Sequence, residues 1–299
     1  MDYALVQAAN GLVLGIIFAV IAVGLTLVFA VLKIVNFAHG ELYMMGGYFA
    51  YYAIELLGLS PFPALAAAIA ASFLLAALLE RTLLTPLYSE TTERKAEYGI
   101  LITFGLSVAL RNLALIVFGP FPLRPPSFVA GVQQWGPLIL TNDRLVAGGV
   151  GLLVLMAVVY IMSRTAAGHA LDAVSQSRES AAIVGIDPRL AYTLGFGLGG
   201  ALAGAAGALM GPIFSLSPSM GILPDTQAFV IVILGGMGSV PGSIVAGILI
   251  GLLESLFTAF FPDPTRALSY SNAFGVLILM VILILRPTGL LGRRHMQME

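Results

Sequence analysis

Apolar runs of membrane-crossing length, parted by short polar breaks, set the pattern along this chain. Runs read at about Asn10–Leu32, Leu42–Leu57, Ala64–Leu84, Tyr98–Phe118, Leu145–Met162, Ala191–Ile213 and Asn272–Leu285. A crossing helix needs about 20 apolar residues for a hydrocarbon core of about 30 Å, so the chain holds about eight spans joined by short loops. A polar break, NFAHGE (Asn36 to Glu41), separates the first run from a short second one, and SPFP (Ser60 to Pro63) reads as a turn. Tyr88 to Glu97 reads as a hydrophilic loop, and Gly119 to Asp143 as a long Pro-rich loop that carries the only tryptophan, Trp135. The region 226–261 is split by GGMGSVPG (Gly235 to Gly242), and its first half, Gln227 to Leu234, is too short to cross alone. The pair reads as a broken or re-entrant element, since irregular backbone at depth is tolerated only inside protein or along a cavity. The expected fold is an all-α, polytopic integral membrane protein, one transmembrane domain over 1–299 with one or two broken segments.

One stretch departs from this pattern. RTAAGHALDAVSQSRESAAIVGIDPR, Arg164 to Arg189, is polar and helix-forming. Ala170, Ala173, Val174, Ser177, Ala181 and Val184 recur at spacings of three and four, which places them on one helix face. Asp172, Gln176, Arg178 and Glu179 fall mostly on the other side. Gly185 is placed as a C-cap, with Asp187 and Pro188 as N-cap and first residue of the next helix. The segment therefore reads as a short amphipathic helix between two spans. Its apolar face is mostly alanine and lacks the Trp, Phe or Leu that anchor a helix in lipid, so a protein partner fits it better than the headgroup region.

Composition sharpens the class. The chain is 59% hydrophobic and 10% charged, with a mean hydropathy of +0.99, against about 25% charged residues in soluble domains. A net charge of −1 without a basic block speaks against a nucleic-acid partner, and zero cysteines removes disulfides, thiolate metal sites and cysteine catalysis. MDYALVQAAN contains no Lys or Arg, so the first span is expected to stay in the mature protein. Lys33, Arg81, Arg94, Lys95, Arg164, Arg178, Arg189, Arg286, Arg293 and Arg294 alternate onto one side, against Arg124, Arg144 and Arg266 on the other. The positive-inside rule then puts the amphipathic helix and the C-terminus in the cytoplasm and the N-terminus outside.

The two lysines, Lys33 and Lys95, are neither preceded by Gly nor followed by Ser or Thr, so no GxxxxGK[ST] phosphate loop occurs. His39, His169 and His295 are scattered, and there is no HExxH, serine elbow or pair of intramembrane aspartates. An enzyme is not expected. Polar groups within spans are the next candidates, because burying them is costly. Asn36, His39 and Glu41 cluster at the first break, either as a solvated turn or as the lining of a path. Arg111, about two turns from the end of its span, is expected to snorkel rather than pair, and Glu254 has no evident partner. The two interrupted segments point to a substrate path, and with it to Gly235, Gly236, Gly238 and Ser239. Gly200, Gly204, Gly207 and Gly211 form one helical stripe, and Gly11/Gly15 and Gly247/Gly251 repeat its spacing; packing within one subunit is expected ahead of a subunit interface.

GLTLVFAVLKIVNFAHGELYMMGGYFA, YGILITFGLSVALRNLALIVFGP, the 164–189 helix with its GID, AFVIVILGGMGSVPGSIVAGILIG and RPTGLLG together resemble the inner-membrane permease of branched-chain amino acid ABC importers. The resemblance runs from about Gly11 to Gly292. It implies a transmembrane permease subunit in the cell inner membrane, forming the path for branched-chain amino acids or a related small polar solute. It implies no cofactor on this chain, with ATP and Mg used by separate ATP-binding subunits, a second related permease subunit or a homodimer, and an external solute-binding protein. By the same resemblance Gly168, His169, Ala170, Asp172, Ala173, Glu179, Ala181, Gly185 and Ile186 occupy the motif that docks on the ATPase. The chain departs from the family at His169 and Asp172, where basic residues are common. The alternative is an ion-coupled secondary transporter, for which few intramembrane carboxylates are available, chiefly Glu41 and Glu254.

Overall fold

The computed structural model describes residues 2–88, 94–261 and 264–292; Arg293, Arg294 and His295 lie outside them. The helices are α1 (Asp2–Leu32), α2 (His39–Leu57), α3 (Pro61–Leu79), α4 (Lys95–Phe118), α5 (Asn142–Arg164), α6 (Ala166–Gln176), α7 (Arg178–Ile183), α8 (Pro188–Phe214), α9 (Ile222–Gly235), α10 (Val240–Phe260) and α11 (Pro264–Leu285). A π-helical turn (Glu80–Leu84) and a 3-10 turn (Thr85–Tyr88) prolong α3. Six of these helices are long and apolar enough to cross a membrane, in α1, α3 with its π turn, α4, α5, α8 and α10, while α9 and the Ala273–Leu285 part of α11 are shorter apolar helices. This is an all-α polytopic membrane protein, with one departure among the described residues. In the Pro-rich loop, β1 (Val132–Trp135) pairs antiparallel with β2 (Leu138–Thr141) across Gly136 and Pro137. Gly136 has φ +60, the left-handed backbone that glycine adopts without a Cβ clash.

The core is built on α1 and α8, whose apolar windows are 78% and 89% buried, against 28% for α3, α4 and α5. Glycine makes this possible. In lipid, helices hold together by close backbone approach rather than by a hydrophobic drive. A Cβ on Gly251 would meet the backbone of Gly15, one on Gly11 would meet Ser255, and one on Gly247 would meet Ala19. These pairs climb α1 while descending α10, so the two helices are antiparallel, and Thr26 and Ser243 close the seam at 2.6 Å. Gly204 meets Gly46 of α2, Gly207 meets the Tyr43 carbonyl, and Gly199 meets Gly24 of α1. The glycine stripe of α8 is thus spent inside the chain.

The same contacts define two ends of the bundle. Lys33 closes α1 at one end, beside the starts of α4 and α8 and the ends of α5 and α9; this is the cation-rich end. At the other, Leu123 pairs with Leu216 after α8, and Arg144 donates to Asn10.

Three boundaries differ from expectation. Pro61 is the first residue of α3, so PFP lies in the helix rather than in the turn before it. His39 to Glu41 form the first turn of α2, and the real break is the stretch 33–38. In the split region α9 starts at Ile222, before Thr226, because Pro224 falls in the first turn, where its missing N–H has no partner to lose.

Candidate functional site

Two helix starts meet inside the bundle. The His39 ring Nε2 bonds the Ile21 carbonyl of α1 at 3.0 Å, and Gly24 packs on the same ring. Gly24 is eight residues short of Leu32, so at a rise of about 1.5 Å per residue α2 begins about 12 Å inside the cation-rich end. The chain covers this distance outside any helix, through a bend at Ile34 and a turn at Phe37–Ala38: Thr103 of α4 donates to the Val35 carbonyl and accepts from Phe37 N, and the Asn36 side chain accepts from Ala38 N at 3.0 Å. At the same depth α9 begins. Gly221 and Gly40 touch backbone to backbone, and Asp225 Oδ1 accepts from Gly40 N at 3.0 Å. Asp225 thereby satisfies an N–H that the start of α2 leaves open.

Beside it, Glu41 takes the Arg111 guanidinium, with Nη2 at 2.5 Å and Nε at 3.1 Å, and the Ser107 hydroxyl at 3.0 Å. The Glu41 side chain is 3% exposed. Arg111 does not simply snorkel: α2 starts so deep that its first carboxylate lies level with the outer third of α4. Buried atoms without a partner among the described residues gather at the same crossing: Asn36 Nδ2, His39 Nδ1 and Glu41 Oε2. Among the described residues no group of His, Cys, Asp and Glu is placed to hold a metal ion.

The second site is the 164–189 segment, which is two helices rather than one. Ser177 ends α6 in extended backbone and caps α7, its side chain accepting from Ser180 N at 3.2 Å; a serine hydroxyl competes in this way with helical continuation. The break resets the phase. The buried face is Gly168, Leu171, Val174 and Ala181, packed on α1, α5 and α8, while Val184 is 74% exposed. Thr165 caps α6, and Gly185 ends α7 at φ +87 with Gly185 N to Ala182 O and Ile186 N to Ala181 O, a Schellman closure. Asp187 and Pro188 start α8 as the sequence predicts. His169, Asp172, Glu179 and Gly185 are exposed, Ala170, Ala173 and Ile186 half-buried. Gly168 is not surface: a Cβ there would meet the Ile161 carbonyl, so it lets α6 cross the end of α5.

A polar knot below α7 escaped sequence reasoning. Glu80, in the π turn, takes Tyr88 OH and the Thr193 hydroxyl (2.7 Å), Tyr88 stacks on Tyr192 at 4.4 Å, and Arg178 Nη2 donates to the Tyr88 carbonyl at 3.2 Å. Burial and the Glu80 carboxylate push the Tyr88 phenol well above its ordinary range. Asp225 also escaped it. Its signal was present, an acid just before the apolar run AFVIVIL, but it falls outside the split region as read from Thr226.

Gly235, Gly236, Gly238 and Ser239 do not join the half-depth crossing. They form the α9–α10 turn at the cation-rich end, with Ser239 capping α10, and are clasped by the C-terminal stretch through Leu290 N to Leu234 O and Leu291 N to Gly235 O. Glu254 does have a partner: Gln227 Nε2 donates to it at 2.8 Å, tying α9 to α10.

Comparison with known proteins places these features in context. A family model described as the permease component of branched-chain amino acid transport systems matches residues 7–285. The chain is 32% identical over 301 residues to the high-affinity branched-chain amino acid transport system permease protein BraD of Pseudomonas aeruginosa, covering 97% of this chain and 96% of that protein. It is 28% identical over 305 residues to the corresponding permease protein LivH of Escherichia coli K12, covering 99% and 97%. Among solved structures it is similar in fold to PsaBC from Streptococcus pneumoniae in complex with Fab, with a TM-score of 0.52, 13% identity, and 93% and 91% of the two chains covered.

Proposed function

This chain belongs to the family of branched-chain amino acid transport system permease components, and on that premise we propose how its two sites divide the work of import. It is the transmembrane permease component of a branched-chain amino acid ABC importer, a multi-pass inner-membrane protein that is not itself catalytic. ATP and Mg are used by separate subunits. In our reading the cation-rich end faces the cytoplasm, with the N-terminus outside and the C-terminus inside. Seven helices cross, α1, α3–α5, α8, α10 and α11, while α2 and α9 each run from half depth to opposite ends, so that the odd number of passes leaves the two termini on opposite sides. The partners are ATP-binding subunits, a second permease chain, related or identical, and an external solute-binding protein.

The observation that carries the mechanism is the mounting of α6–α7. The pair is exposed on its outer side, is joined to α5 through Thr165 alone, and enters α8 through the short link 184–187, closed at Gly185. A push delivered there reaches two membrane helices without a flexible loop to absorb it. Closure of the ATPase subunits presses on α6–α7, and α5 and α8 transmit the motion to the half-depth crossing. The partnerless polar atoms of Asn36, His39 and Glu41 support its reading as part of the solute path, since buried polar groups otherwise find partners.

The test is made on the reconstituted importer. Glu179→Trp or Gly185→Leu should leave insertion and basal ATP hydrolysis intact and abolish solute uptake. Uptake and stimulated hydrolysis at the level of the unaltered protein in both variants would overturn the assignment of α6–α7.

A further inference from the structure

The chain has two lysines, Lys33 and Lys95, separated by α2 and by α3 with its terminal turns. The fold brings both to one open cavity of about 410 Å³ at the cation-rich end, where Arg178 joins them. Its walls are the end of α1, the start of α4 and the α6–α7 junction, over the stacked Tyr88–Tyr192 pair. Among the described residues no carboxylate lines it, neither lysine has an ion pair or hydrogen bond through its side chain, and Arg178 donates only to the Tyr88 carbonyl. An adjoining cavity of about 350 Å³ shares Lys95 and Arg178 and has Glu179 as its one acid among the described residues.

Lys33 is set there at a conformational disadvantage. It closes α1 through Lys33 N to Phe29 O with φ +57, left-handed backbone that favours glycine at a helix C-terminus. A bulky residue held in such a conformation points to a task for its side chain. Burial also holds its ammonium below the usual lysine range, a penalty that an adjacent anion removes.

We propose that the cavity walled by Lys33, Lys95 and Arg178 is a socket for an acidic side chain of the ATP-binding subunit. The proposal rests on the reading of α6–α7 as the docking element, with which the socket is continuous through Ser175, Gln176 and Arg178. It also accounts for the acid and histidine at Asp172 and His169. Two of the three cations that contact the ATPase come here from the end of α1 and the start of α4, beside the docking helices, and the third, Arg178, from the start of α7.

Carbodiimide treatment of the detergent-purified importer tests it, because the reagent joins a lysine amine to a touching carboxylate as an amide. Peptide mapping should find Lys33 or Lys95 linked to an Asp or Glu of the ATPase subunit. The K33R/K95R pair should keep the ATPase bound and lose the link. The K33Q/K95Q/R178Q triple should lower ATPase recovery by at least about tenfold. Absence of the link together with full recovery in the triple overturns the socket. Loss from the triple of phosphatidylglycerol or cardiolipin that the unaltered protein retains, with the ATPase still bound, assigns the cavity to lipid and also overturns it. A photo-cross-linker on Glu179→Cys, unique in this cysteine-free chain, separates the two failures: a photoadduct without the amide link sinks the socket alone, and neither product sinks the docking reading with it.

Discussion

Arg111 and Glu41 lie 70 positions apart and form the most buried ion pair among the described residues. Removing one partner strands the other, which in a buried pair costs about 3–5 kcal/mol, whereas replacing both by neutral groups of similar size is far milder. Arg111→Met should therefore lower the thermal unfolding temperature in detergent, and Arg111→Met with Glu41→Gln should recover most of the loss. Additive effects in that double-mutant cycle would show that the pair contributes nothing as a pair. The residues of this crossing were legible only in part. Asn36, His39 and Glu41 stand out as polar groups in an apolar chain. Arg111 and Asp225 could not be joined to them, because the pairing depends on how deep α2 begins, and that depth is set by the non-helical stretch 33–38 rather than by any local pattern.

Elements were more legible than contacts, and glycine explains why. The α8 stripe reads from the sequence as a close-packing face, and it packs on α2 and α3. Not every glycine is equivalent, however. Gly207→Ala would drive a methyl into the Tyr43 carbonyl, while Gly105→Ala in α4 meets nothing within 4 Å and gains helix propensity of roughly 1 kcal/mol. Gly207→Ala should reduce yield and melting temperature, Gly105→Ala should hold or raise them, and equal behaviour of the two would contradict the packing. The α6–α7 break was not legible, since the spacing of small residues continues through Ser177 as if one helix ran on. Ser177→Ala removes the cap and should weaken α7 by about 0.5–2 kcal/mol. Hydrogen exchange over 178–183 should then rise while that of α6 stays as it was.

For the molecule as a whole, the disposition of charge and the chain's lack of cysteine make orientation directly testable. A single cysteine at Asp172 should react with a membrane-impermeant maleimide only in inside-out vesicles, and one at Gln134 in the hairpin only in intact spheroplasts. The reverse labelling would invert the topology and remove α6–α7 from reach of any cytoplasmic ATPase. The class, its spans and its cation bias could be read ahead of the structure because they follow from solvent exclusion along the chain, which is a one-dimensional property. The meeting of α2 and α9 at half depth could not be read. Its consequence concerns thickness. A bilayer presents about 30 Å of hydrocarbon, but with backbone ends and ionised groups held midway, that insulator is divided into two septa of roughly half the span. On the proposed solute path each septum could be breached while its counterpart stays shut, so that a cargo molecule would be handed across in two short steps without a continuous water-filled bore.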